Sequence, residues 1–303
     1  MKVDLVLEGA GILGIAFIGA LSALEEYNYT INRVAGSSSG ALMATLISSG
    51  YSAAELRELL YTTDFNLFNQ HTKLSKFYLL GRVISLIRNK GIYKNDAIKP
   101  WLNAILKKKN KLTFKDNDQL TIIASDITHQ KTMVIPDCLP QYGLTKDEFL
   151  VSDAVTMSTA IPYYYVPYKL KVGNQTTTIV DGGLLSNFPI WIYDVKGTPK
   201  WPTFGIKIKD YKSNDLQNKN GFINYTRDII NTMINRNDMC LKDSDTVRTI
   251  IIDHDESIKT TDFTLSKQKI DYLYQCGYQS TIKFLKKFNF NRYCERYDKN
   301  TKK

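Results

Sequence analysis

The chain has 303 residues, 43% hydrophobic and 23% charged, enough for one large α/β core or two small ones in an ordinary globular protein. No apolar run reaches the roughly 18 residues of a membrane span, and four scattered cysteines and three scattered histidines exclude a disulfide framework or a zinc site. The formal net charge of +10 attracts anionic surfaces, phospholipid or nucleic acid.

In chain order, Val3–Leu7 reads as a short buried strand and Gly9–Gly14 as a glycine-rich turn. This opening does not read as a signal peptide, so the expected location is cytoplasmic, with peripheral membrane contact left open. Apolar residues at helical spacing predict a helix over Ile15–Tyr27. Val34-Ala35 is a very short strand leading to Gly36, and the charge-free stretch Gly40–Ser49 predicts a buried helix. Ser52-Ala53-Ala54-Glu55 is a capping box opening the next helix. Phe65–Asn95 holds six basic residues and no acidic one, interleaved with apolar side chains; within it Lys73–Lys94 is a candidate membrane-contact segment. Further helices are expected over Asp96–Lys108, Lys146–Met157, Phe222–Leu241 and Ser266–Phe288. Strands are expected at Leu120–Ser125, Thr132–Ile135, Thr176–Val180, Thr203–Ile208 and Val247–Ile252.

Strands alternating with helices imply a mostly parallel central sheet covered by helices on both faces. The expectation is one domain over 1–303. Its motifs lie in 4–189, its C-terminal helical part runs from about 221 to 288, and a polar tail, 289–303, frays.

Three motifs follow strands. Gly36-Ser37-Ser38-Ser39-Gly40 matches G-x-S-x-G between a strand and a buried helix, the setting of a nucleophile elbow. The glycine spacing selects Ser38 over Ser37 and Ser39. Gly9-Ala10-Gly11-Ile12-Leu13-Gly14 has the form G-x-G-x-x-G. A dinucleotide site would need an acid at the end of the second strand, and a P-loop would need lysine where Ile15 stands. An oxyanion hole fits better, because closely spaced glycines let amides face a tetrahedral intermediate. Asp181-Gly182-Gly183 puts a carboxylate at a strand end, on the side of an α/β sheet where sites form. A Ser–acid–His triad would have to use His254, in the polar turn Asp253-His254-Asp255-Glu256.

In this order the motifs resemble the patatin-like phospholipase family, from about Asp4 to Pro189 and more weakly to the Cys276-Gly277 helix. Gly19, Gly91-Ile92-Tyr93, Ala124-Ser125-Asp126, Ala160-Ile161-Pro162 and Asn187-Phe188-Pro189 also match. The resemblance implies a patatin-like three-layer sandwich and a lipid acyl hydrolase of phospholipase A type. It implies a Ser–Asp dyad without histidine, with Ser38 as nucleophile and Asp181 as base. It also implies oxyanion contacts from the amides of Gly9, Ala10 and Gly11, joined in the mechanism by that of Ser39. No cofactor or metal is called for. The expected partner is a phospholipid membrane surface or lipid substrate, not nucleic acid, for which no module is present; a protein activator is left open. The sequence departs from the family's usual G-G-G-x-K/R-G at Ala10 and Leu13, which leaves room for a nonenzymatic lipid-binding protein.

Overall fold

The computed structural model describes residues 1–64, 70–73, 75, 78–209, 243–258, 260 and 265–301. Among them, eight strands form one sheet. Five run parallel in the order β11 (Thr249–Ile252), β10 (Thr203–Ile208), β1 (Lys2–Leu7), β2 (Thr30–Ser37), β5 (Leu120–Asp126). Antiparallel β9 (Gln175–Asp181) and β8 (Tyr168–Val172) extend this edge, and β6 (Lys131–Ile135) also pairs with β5. Helices flank this mostly parallel sheet in a three-layer arrangement, as expected.

Side-chain alternation along the strands divides the core between the two sheet faces. Leu5, Leu7 and Val34 join the main apolar cluster with α1 (Ala16–Glu26) and α2 (Ser39–Ser48). Val6 and Ala35 face the other way, onto Phe188, Ile190 and Tyr193. Gly19 of α1 meets the helix Lys267–Leu285 so closely that a Cβ there would lie 1.9 Å from the Tyr274 carbonyl oxygen. Main-chain contact at that distance is open only to glycine, which accounts for Gly19 inside a helix.

Several elements differ from expectation. β2 has eight residues rather than two, because its polar first half pairs with β1. The helix expected from Lys146 is α6, Val151–Ser158. Leu150 is extended and bridges to Thr113, so the chain cannot turn helical earlier. Within the tail expected to fray, Phe290–Thr301 is a helix. Its Tyr293 and Tyr297, four residues apart, are buried, and Tyr297 Oη accepts Val195 N–H at 2.6 Å. The polar composition of the tail concealed this one-sided anchoring. Phe222–Leu241 lies outside the described residues. No described helix is long and apolar enough to cross a membrane.

The position of Asp181 also has a different cause. It ends β9, which runs antiparallel to β5, so the carboxyl-end rule for parallel strands does not place it. Register does. Asp181 pairs with Ala124, and the neighbouring Ile123 pairs with Ser37. The Asp181 carboxyl is thereby brought level with the end of β2.

Candidate active site

At Ser38 the chain turns from β2 into α2 with φ 53° and ψ −125°. Such a conformation costs a non-glycine residue on the order of 1–3 kcal/mol and persists only where the surroundings enforce it. Two close approaches do so. A Cβ on Gly36 would lie 2.2 Å from the Gly40 carbonyl oxygen, and one on Gly40 would lie 2.4 Å from that of Leu7. Both glycines of the G-x-S-x-G pattern are therefore steric requirements of the turn.

The end of α6 fixes the turn from outside. Ser38 N–H donates to Ser158 Oγ at 2.9 Å, and that hydroxyl donates to the Ile123 carbonyl. The carbonyl of Ser158 accepts Gly182 N–H at 3.1 Å, and that of Ala160 accepts Asp181 N–H at 2.9 Å. One short segment thus holds both the elbow and the end of β9. As a result Ser38 Oγ donates to Asp181 Oδ2 at 2.6 Å, and Gly183 N–H donates to Oδ1 at 2.7 Å. Both groups are buried. Desolvation raises the Asp181 pKa from 3.8 to about 7, partly opposed by the bonds from Ser38 and Gly183.

Asn187 clamps the glycine turn from below. Its carbonyl accepts Gly9 N–H, and its Nδ2 donates to the Gly9 carbonyl, both at 3.1 Å. Ala10 N–H donates to Ser39 Oγ at 2.9 Å, and Ile12 N–H to the Thr260 carbonyl at 2.9 Å. The amides of Gly9 and Ala10 are thus engaged. Those of Gly11 and Ser39 have no acceptor among the described residues. The family departures settle into ordinary places: Ala10 has φ −129° and ψ 10°, open to any residue, and Leu13 is buried in the core.

Gly11, Ser38 and Ser39 border a cavity of about 120 Å³. The rest of its wall is almost wholly apolar, including Ile15 and Ile18, Leu42, Met43 and Leu46 of α2, and Leu56 and Leu59 of α3 (Ala53–Thr62). α3 opens on the expected capping box, with Ser52 Oγ accepting Glu55 N–H at 3.2 Å. Trp101 of α5 (Ile98–Lys108), Ile161 and Tyr165 complete the wall.

Histidine takes no part in the pair. His129 Nδ1 lies 2.7 Å from Asp126 Oδ2, His71 Nδ1 lies 3.2 Å from Ser75 Oγ, and His254 Nδ1 lies 2.8 Å from the Asp255 carbonyl. No group of three or more His, Cys, Asp or Glu among the described residues is placed to hold a metal ion. Sequence reasoning missed Ser158 and Thr260 and gave Asn187 no role. Their contacts come from distant segments and carry no local signal.

A family model described as patatin-like phospholipase matches residues 5–193. YqhO of Bacillus subtilis (strain 168), an uncharacterized protein, is 36% identical over 295 residues, covering 96% of this chain and 100% of that protein. Probable lipid hydrolase 463L of Invertebrate iridescent virus 6 is 28% identical over 195 residues, 61% of each chain. Among solved structures, VipD from Legionella pneumophila shares the fold, with a TM-score of 0.54 and 16% identity over 94% of this chain and 66% of VipD. With the family model covering more than half of its length, the chain belongs to the patatin-like phospholipase family of lipid hydrolases.

Proposed function

We propose that the protein is a serine-dependent lipid acyl hydrolase of phospholipase A type, with Ser38 as nucleophile and Asp181 as its base. The observation that carries this reading is the 2.6 Å hydrogen bond from Ser38 Oγ to a buried carboxylate at the edge of an apolar cavity. Ser38 Oγ attacks the ester carbonyl while Asp181 Oδ2 takes its proton and passes it to the leaving alcohol. Water then cleaves the acyl-enzyme with the same base. The N–H groups of Gly11 and Ser39 donate to the oxyanion, aided by the N-terminus of α2. Gly9 shapes the turn through Asn187. Ala10 N–H joins the donors when Ser39 Oγ turns away.

The cavity accepts the acyl chain, and its wall sets chain length. Leu46 stands two turns along α2 from Ser38, about 12 Å at the helical rise. Leu46→Phe is expected to slow long-chain esters roughly tenfold relative to short-chain ones. Rates measured across a series of p-nitrophenyl esters check this. An unchanged chain-length profile would place the acyl chain elsewhere.

The reading is tested with mixed phospholipid vesicles, wild type and Ser38→Ala, following fatty acid release by mass spectrometry. Release by wild type alone supports it. Equal release from both proteins removes Ser38 from the chemistry. Vesicle binding without release by either favours a lipid-binding protein on this fold.

A further inference from the structure

The helix α4 (Tyr78–Asn89) turns its polar side inward. Gly81 and Ser85 are buried and Asn89 is half-buried, spaced four apart on one face. Ser85 and Asn89 are held there by hydrogen bonds. Ser85 Oγ donates to the Gly91 carbonyl at 2.7 Å, lies 2.8 Å from Thr72 Oγ1 and accepts Asn89 Nδ2 at 3.1 Å. Val83, Ile84 and Ile87 face outward, 43%, 42% and 78% exposed. A surface helix normally buries its apolar stripe. Single exposed isoleucines are commonplace, but an apolar arc opposite a buried polar one calls for something to cover it.

Charge indicates what covers it. Arg82, Arg88 and Lys90 are exposed, with no acidic partner among the described residues. Lys169 on β8 adds to them. Its ammonium is held below the usual lysine value, first by burial and then by the charge of Lys90. Apolar anchors beside unneutralised cations match a layer with anionic headgroups over hydrocarbon.

The helix is also tied to the cavity. It leads into β4 (Gly91–Lys94), which pairs in parallel with β7 (Tyr163–Tyr165), Gly91 opposite Tyr163 and Tyr93 opposite Tyr165. The rings of Tyr93, Tyr164 and Tyr165 follow one another with centroids 4.7 and 4.8 Å apart, and Tyr165 lines the cavity.

We propose that α4 is a docking helix that lies in the surface of an anionic phospholipid bilayer, inserting Val83, Ile84 and Ile87 and placing Arg82, Arg88 and Lys90 on headgroup phosphates. The purpose of the docking rests on the lipid-hydrolase reading; the docking itself does not. The test is co-sedimentation of the full chain with phosphatidylglycerol–phosphatidylcholine vesicles and with pure phosphatidylcholine vesicles, alongside hydrolysis of p-nitrophenyl butyrate in solution. Ile84→Asp/Ile87→Asp is expected to weaken partitioning into the anionic vesicles on the order of a hundredfold, about tenfold for each anchor. Arg82→Gln/Arg88→Gln is expected to weaken it about twentyfold at low salt and less at high salt. Both variants keep the wild-type rate on the soluble ester and the wild-type melting temperature.

Equal partitioning of wild type and variants, or no binding by wild type, overturns the proposal. A lowered melting temperature in Ile84→Asp/Ile87→Asp overturns it in favour of cover by another part of this chain. Loss of a dimer with vesicle binding unchanged overturns it in favour of a second copy. Loss of soluble-ester hydrolysis in Ser38→Ala bears on the catalytic reading alone, so the two fail separately.

Discussion

Ser38→Ala is expected to lose lipid ester hydrolysis by a factor on the order of 10⁴ or more, since a nucleophile and its base act as a unit. The fold should survive, because the change removes one oxygen and leaves Ser38 N–H on Ser158 Oγ. Alanine retains the strained φ of 53° and gives up only the bond to Asp181 Oδ2, so the melting temperature should fall by about a few degrees at most. Ser38→Gly should be equally inactive but about 1 kcal/mol more stable, because glycine occupies that conformation freely. Thermal melts beside a fatty acid release assay separate the loss of chemistry from the relief of strain. Substantial activity in either variant contradicts the role given to Ser38.

Asp181→Asn is expected to cost on the order of 10³–10⁴ in rate while stabilising the protein at alkaline pH. The amide oxygen can still accept Gly183 N–H, but the group can no longer take a proton from Ser38. With a folded-state pKa near 7 against 3.8, the folded chain holds a proton that the unfolded chain has already released across that interval. Stability due to this group therefore falls as pH rises from about 4 to about 7, and the full cost, at most about 4 kcal/mol, applies above that. Asn carries no such cost. Its advantage in melting temperature should be large at pH 8 and should vanish near pH 4. Wild-type kcat/KM should climb along an acid limb centred near pH 7 rather than near pH 4. An acid limb at pH 4, or a melting difference that does not vary with pH, would show Asp181 to be an ordinary solvated carboxylate.

Much of this site was legible in the sequence because the constraints behind it are local. Gly36 and Gly40 mark a turn that admits no Cβ, and the charge-free run after it marks a buried helix. The capping box Ser52–Glu55 and the Asp181-Gly182-Gly183 turn are likewise complete within a few residues. What the sequence concealed depends on distant partners. Ser158 acts only because α6 ends beneath both β2 and β9. The first turn expected at Lys146 gives way to the bridge between Leu150 and Thr113. The C-terminal helix is polar along most of its length and is held by two tyrosines that find Phe288 and Val195. In β8, Tyr168-Lys169-Leu170-Lys171-Val172 shows the alternation of a strand with one wet face, a local signal that was open to reading. In α4 the apolar spacing alone does not say which face packs. Its apolar periodicity is strong, but the face that packs is the one carrying Gly81 and Ser85.

The Ser38 acyl-enzyme can be captured by covalent trapping with a long-chain fluorophosphonate followed by intact-mass and peptide-level mass spectrometry. One phosphonyl group per chain is expected, carried by the peptide containing Ser38, with hydrolysis lost in step with labelling and neither labelling nor hydrolysis in Ser38→Ala. Labelling at Ser37, Ser39 or a distant residue, or continued hydrolysis by fully labelled protein, would contradict it.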